Sequence, residues 1–147
     1  MLKFLLMFIL IASSLFSETL IISPFKGLEY NDNISISEMF NEHLSKTIKT
    51  INSQLFDYNF GLLDMRDYNE IIMNDAKDSN ADYVLFGYIS RIHKINKLNI
   101  KVVNVKYGHC IYTYSWSFQY IEKIEAEIYR IHIYIIEKIL NDSSIQF

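Results

Sequence analysis

The 147-residue sequence holds one cysteine, Cys110, and one proline, Pro24. A single cysteine excludes an internal disulfide, so the chain cannot be a small stapled scaffold. One proline and four glycines argue against long flexible linkers and against disorder. Basic blocks are missing too, and the net charge is -3. A nucleic-acid binder needs a basic footprint to neutralise phosphates, so that class of partner is not expected. Internal repeats and low-complexity tracts are absent. So are the G-x-S-x-G elbow, the phosphate-cradling G-x-x-x-x-G-K and the dinucleotide fingerprint. His43, His93, His109 and His132 show neither H-x-x-x-H nor H-E-x-x-H spacing, so neither a metal nor a cofactor is expected.

What is present is a globular composition, 50% hydrophobic and 21% charged, with eleven tyrosines and ten phenylalanines. The length suits one domain with its own core. The most structured stretch is Ala81 to Phe118, in which three apolar runs are split by polar breaks at His93–Lys97 and Lys106–His109. Val, Ile, Tyr, Phe and Trp dominate the runs and fit a pleated surface, which predicts a three-stranded antiparallel meander. Its strands are Asp82–Ile92, Leu98–Val105 and Cys110–Ser117. Gly108 supplies the positive φ of the second turn. The first strand of the three is apolar on both faces, as a covered central strand would be.

Met1 to Ser17, MLKFLLMFILIASSLFS, has a basic residue, a short apolar run and a small-residue end. This is the layout of a secretory signal peptide, and the run is shorter than the roughly 20 residues of a spanning helix. The expected mature chain begins near Glu18 in the periplasm, a cut after Ser17 being preferred to one after Ser14, with no integral membrane segment after cleavage and no lipoprotein cysteine; an uncleaved amino-terminal anchor is the alternative. Thr19–Phe25 reads as a strand with Pro24 at its end or on an edge. Ser35 to about Ser53 reads as a helix, with Ser35 and Glu38 as a capping box. Phe56–Leu63 reads as a second strand. A second helix is capped by Asp64 and runs to Asp78, closed by Ser79-Asn80. The longest helix is Tyr120–Leu140, with Ile121, Ile124, Ile128, Ile131, Ile135 and Ile139 along one side and Ile133, Ile136 and Leu140 widening it. The expected fold is α/β, a single domain over residues 18–141 with a tail at 142–147. Its order is β-α-β-α-β-β-β-α, with helices packed on a mixed sheet of about five strands.

Two passages carry a resemblance. One is Gly61-Leu62-Leu63-Asp64 through Ile71-Ile72. The other is Ala81-Asp82-Tyr83-Val84-Leu85-Phe86-Gly87-Tyr88-Ile89, followed by Leu98–Val105 and Gly108. Together they resemble the group of bacterial envelope domains that includes the amino-terminal domain of TolB, CsgG and LpoB. The resemblance implies an α/β domain, an envelope location and protein binding without chemistry. The chain departs from the group in lacking the lipobox cysteine of the CsgG and LpoB branches and the propeller of TolB. It also lacks a long alternating hairpin for membrane insertion.

The leading expectation is therefore an exported, non-catalytic interaction module that assembles or regulates an envelope complex. Its partners would be envelope proteins or a second copy of the chain. Contact is expected by strand addition along the poorly guarded edge Phe56–Leu63, through Phe56, Tyr58 and Phe60. The outer face of the last helix is the competing surface. Lys101, Lys106 and Pro24 are read as guards of other edges. An alternative is a secreted ligand- or glycan-binding protein using the stripe Tyr112, Tyr114, Trp116 and Phe118. A small secreted hydrolase using His109, Cys110 and Asp64 is weaker still. Adjacent strand residues point to opposite faces, and Asp64 with Asp67 is explained by helix capping.

Overall fold

The computed structural model describes residues 18–27, 30–55, 60 and 63–145. Met1–Ser17, Phe56 and Tyr58 lie outside the described residues, as does most of the strand read at Phe56–Leu63.

The elements are β1 (Thr19–Ile22), α1 (Tyr30–Leu44), β2 (Lys49–Asn52), α2 (Met65–Asp78), β3 (Tyr83–Ile92), β4 (Ile95–Asn104), β5 (Cys110–Phe118) and α3 (Ile124–Ile145). A single 3₁₀ turn, Ile121–Lys123, leads into α3. The order and class are those read from the sequence. The strands form one mixed sheet in the order β2-β1-β3-β4-β5. β1 runs parallel to both β2 and β3, and the β3–β4 and β4–β5 pairs are antiparallel.

Two apolar layers follow from period-2 alternation in the strands. Leu20, Ile22, Tyr83, Leu85, Ile89, Leu98, Ile100 and Val102 face one side and pack under α1 and α3. Ile21, Val84, Phe86, Val103 and Val105 face the other and pack under α2. Topology dictates this split. β2 and β3 flank β1 on opposite sides, and right-handed crossovers to opposite sides put their helices on opposite faces. β3 is central and covered on both faces, hence its unbroken apolar run.

The first helix differs from its expectation at both ends. It begins at Tyr30, so Ser35 lies in its second turn and the capping box does not form. It stops at Leu44, and Lys49–Asn52 is a strand where the helix was read to continue to Ser53. Leu44, Ile48 and Ile51 keep helical spacing by coincidence, while Thr47 and Thr50 are β-branched and favour strand. The edge strand after α1 is thus Lys49–Asn52. Among the stretch read as strand two, Phe60 and Leu63 are described and neither is in a strand.

Pro24 lies just past the end of β1, as read. β1 and β4 are internal, however, so Pro24 and Lys101 guard no edge. The β3–β4 turn is tighter than read, with Ile92 paired to Ile95 and His93 at φ 56° between them. The second turn holds Gly108 at φ 71°, as expected. Asp64 caps α2 by accepting the Asp67 amide at 2.8 Å, and Asn80 is left-handed at φ 53° just past its end.

In α3, Ile124, Ile128, Ile131, Ile135 and Ile139 are fully buried, as spacing predicts, but Ile133 is exposed. At 100° per residue Ile133 lies almost opposite Ile124, so it cannot share that face. The helix also continues to Ile145 rather than ending at Leu140. No helix among the described residues is long and apolar enough to cross a membrane.

Candidate functional site

The sheet has two edges. β2 is four residues long and begins with Lys49, which makes it a short, charged edge. β5 is nine residues, CIYTYSWSF, without a charge or a proline. Among the described residues β5 pairs only with β4, so one side of its backbone offers N–H and C=O groups. Charge, proline and cover are the usual means of blunting an edge, and β5 carries none of the first two. Val102 pairs with Tyr112 and Val103 with Cys110, so Ile111 is the extra residue of a bulge. A bulge bends a strand and sharpens its twist, and it reverses the facing of residues before it. Cys110 accordingly does not share the inward side of Tyr112. It is exposed, with its Sγ 3.3 Å from the Tyr112 carbonyl.

The aromatic stripe of β5 runs under α3. Tyr112, Tyr114 and Trp116 are half-buried against the first core, and Phe118 is buried within it. Tyr112 stacks on Tyr114 with ring centroids 6.4 Å apart, and Trp116 stacks on Phe118 at 5.4 Å. The Tyr114 hydroxyl donates to Glu127, and Arg130 Nη2 donates to that hydroxyl at 2.7 Å. Arg130 also pairs with Glu127 and lies over the Tyr114 ring at 5.7 Å. Hydrogen bonding from Arg130 holds the Glu127 carboxyl below its ordinary range, against the opposing effect of burial. This network ties α3 to the edge strand.

Phe60 lies on the opposite face of the sheet. It is buried edge-on to Tyr68, with centroids 5.1 Å apart, and its carbonyl accepts Lys26 Nζ at 3.0 Å. The structure therefore gathers Tyr112, Tyr114 and Trp116 at one place and puts Phe60 behind the sheet. Outward from the stripe, α3 exposes Tyr129 (62%), Ile133 (60%) and Tyr134 (49%). The sequence reading did not single out Tyr129 or Tyr134, although helical spacing puts both outside the arc of the buried isoleucines. Tyr129 also meets His43 of α1 and His132, with centroids 5.6 and 5.3 Å away, and the two histidine rings are 5.8 Å apart. Side-by-side histidines from two helices leave no sign in sequence spacing.

The opposite end of α3 carries a second polar assembly that sequence spacing did not reveal. Asp142 Oδ2 accepts the Tyr83 hydroxyl and the Asn104 amide, each at 2.8 Å, and Oδ1 is 2.9 Å from His109 Nε2. Burial pushes the Asp142 carboxyl up, but the bonds from Asn104, His109 and Tyr83 outweigh it and hold it below its ordinary range. Beside it a cleft of about 510 Å³ is lined by Glu18, Asp82, Lys77 and Lys106 among others. Asp82 is itself engaged by the Thr19 amide at 2.8 Å and hydroxyl at 2.9 Å. Burial, together with Asp82 and Asp142, raises the Glu18 carboxyl. The residues weighed for hydrolysis do not converge. His109 is paired with Asp142, Cys110 contacts Tyr112, and Asp64 caps α2. Among the described residues no three of His, Cys, Asp and Glu cluster as a metal site would require.

No protein-family model and no curated protein matches the chain. Solved structures do match. The LpoB C-terminal domain from Salmonella enterica aligns with TM-score 0.52 at 16% identity, covering 70% of this chain and 83% of that one. A PelC dodecamer from Paraburkholderia phytofirmans, in a single-substitution variant, aligns with TM-score 0.53 at 12% identity over 78% and 84%. Lipoprotein GNA1162 from Neisseria meningitidis aligns with TM-score 0.52 at 12% identity over 69% and 80%. This chain shares their fold. The likeness is consistent with the group of envelope domains read from the sequence without singling out a name within it, since TolB from Acinetobacter baumannii also aligns, with TM-score 0.54 at 13% identity over 81% of this chain and 28% of that one. At these identities it speaks to fold alone.

Proposed function

We propose that the chain is an exported, non-catalytic interaction module of the bacterial cell envelope that helps assemble or regulate an envelope complex. The observation that carries this reading is the uncharged, open edge of β5 under α3, a helix that exposes Ile133 and Tyr134. An open edge gives main-chain hydrogen bonds to an added strand, and neighbouring rings give it apolar contact. The fold shared with the LpoB domain, lipoprotein GNA1162 and PelC supports the envelope setting. The partner is an envelope protein or a second copy of the chain. The surface is β5 with α3, replacing the edge at Phe56–Leu63. The ligand-platform reading has less support, because Tyr112, Tyr114 and Trp116 are half-buried under α3.

Photo-crosslinking in the native host tests the surface. A benzophenone amino acid replaces Ser115 on β5, Ile133 on α3 or, as a control, Lys77 on α2; all three positions are exposed. Discrete adducts are expected in the envelope fraction from the first two positions and not from Lys77. The same adducts from all three, or none from Ser115 and Ile133, would reject the surface.

A further inference from the structure

The β3–β4 hairpin runs past the rest of the sheet. β5 pairs with β4 only as far as Asn96, opposite Phe118. β1 pairs with β3 only as far as Leu85, and a single bridge beyond it joins Lys26 to Tyr88. Past these points Ile92 pairs with Ile95 across a turn made of His93 and Lys94, and all four residues are exposed.

Two isoleucines therefore stand at a free tip. Ile92 is 71% and Ile95 56% exposed, and directly paired residues lie side by side on one face of a hairpin. Alternation identifies the face. Phe86 is buried under α2, and Ile92 lies an even number of residues beyond it. Register puts Lys97 and Lys101 of β4 on the same face, opposite Ser117 and Thr113 of β5. The Ser115 hydroxyl, 2.8 Å from Asn99 Oδ1, lies between those pairs. Lys94, Lys97 and Lys101 are exposed, and among the described residues no carboxylate forms an ion pair with any of them. β3, β4 and β5 contain no aspartate or glutamate, in a chain whose net charge is -3. On the other face Arg91 shares a cleft with Asp32 and Glu122, so the positive excess belongs to the face of the isoleucines.

We propose that this hairpin tip is a membrane-contact site, with Ile92 and Ile95 entering the surface of an anionic lipid bilayer and Lys94 and Lys97 meeting its phosphates. Charge complementarity selects the occupant: lysines without carboxylates beside an apolar pair match an anionic surface with an apolar interior. The shape agrees, because a narrow convex tip offers little area to a protein groove, while lysine stems lie along acyl chains with their ammonium groups at headgroup level. The contact is peripheral. It uses residues other than the β5 edge and the outer face of α3, so either surface can fail without the other.

The test reads depth at the tip. A nitroxide label is attached to Ile95→Cys or, at the opposite end of β4, to Tyr107→Cys, each in a Cys110→Ser background; all three positions are exposed. Vesicles of phosphatidylcholine and phosphatidylglycerol in equal parts should cut the collisions of the label at position 95 with a water-soluble nickel chelate severalfold. The label at position 107 should keep its collisions, and vesicles of phosphatidylcholine alone should protect position 95 far less. Lys94→Gln with Lys97→Gln should remove most of the protection, since each basic residue near an anionic surface contributes to the attraction. No protection at position 95, equal protection at both positions, equal protection by both kinds of vesicle, or protection that ignores the lysine changes would overturn the inference. Poly-glutamate stands for an acidic protein, and protection by it without protection by vesicles would overturn the assignment to lipid.

Discussion

Gly87 sits so close to Asn99 on the neighbouring strand that a β-carbon on it would stand 2.0 Å from the Asn99 carbonyl oxygen. A glycine in the middle of a strand marks a place where a helix or a neighbouring backbone comes close. The neighbour is the backbone of β4. A backbone in the middle of a paired strand cannot move aside as a side-chain tip can, so Gly87→Val should destabilise by about 1–3 kcal/mol or more. Strand propensity alone predicts a gain, because valine suits strands better than glycine. A thermal melt decides, and an unchanged or higher midpoint would contradict the crowding.

Tyr68 holds α2 to the centre of the sheet. Its hydroxyl is 2.7 Å from the Gly87 carbonyl and 3.0 Å from that of Pro24, sharing its one hydrogen between them. Gly87 also accepts the Lys26 amide at 3.2 Å, so Tyr68→Phe chiefly strips Pro24 and should cost about 1 kcal/mol. Burial raises the Tyr68 phenol above its ordinary range, and burial with the bond to Asp142 raises that of Tyr83. A raised folded pKa means stability is intact below the unfolded value, about 10, and falls as pH rises past it. Ultraviolet titration should show these tyrosines ionising only with unfolding.

Asp142 has the opposite sign. Its folded pKa is depressed, so its contribution is present at neutral pH and lost as pH falls below about 4, the unfolded carboxylate value. Asp142→Ala leaves Asn104 and Tyr83, both buried, without their shared acceptor, and should cost about 1–3 kcal/mol at pH 7. The gap between variant and parent, measured by urea unfolding, should narrow in acid. A gap constant from pH 7 to pH 3 would contradict the assignment.

Asp64→Ala removes the cap that bonds the Asp67 amide and should cost about 1 kcal/mol by denaturant unfolding, with no change in fold. Asp64→Asn should recover most of that loss. No difference between the two variants would mean that the cap contributes little.

Where local pattern and tertiary demand agree, the fold was legible. The meander, the Asp64 cap and the five isoleucines of α3 follow from alternation, capping chemistry and helical spacing. The end of α1 was not legible, because Leu44, Ile48 and Ile51 satisfy a helix and a helix-turn-strand equally. Edges were not legible either, since strand order depends on crossovers rather than on any one strand's residues. β5 became an edge, and β1 with Pro24 became internal. The Asp142 assembly joins residues from β3, β4, the turn before β5 and the end of α3. Nothing in the spacing of Tyr83, Asn104, His109 and Asp142 announces that meeting.

The edge of β5 is the centre of the proposed function, and charge on it is the most direct probe. Thr113 and Ser117 are exposed, so lysine at both should guard the edge as natural edge strands are guarded, with the inward stripe left intact. Circular dichroism first establishes that Thr113→Lys with Ser117→Lys keeps the fold. The measurement is the amount of crosslinked adduct formed from Ile133 in the native envelope fraction, compared between this double variant and its parent. A loss of the adduct is the predicted result, and an undiminished adduct would contradict strand addition at β5.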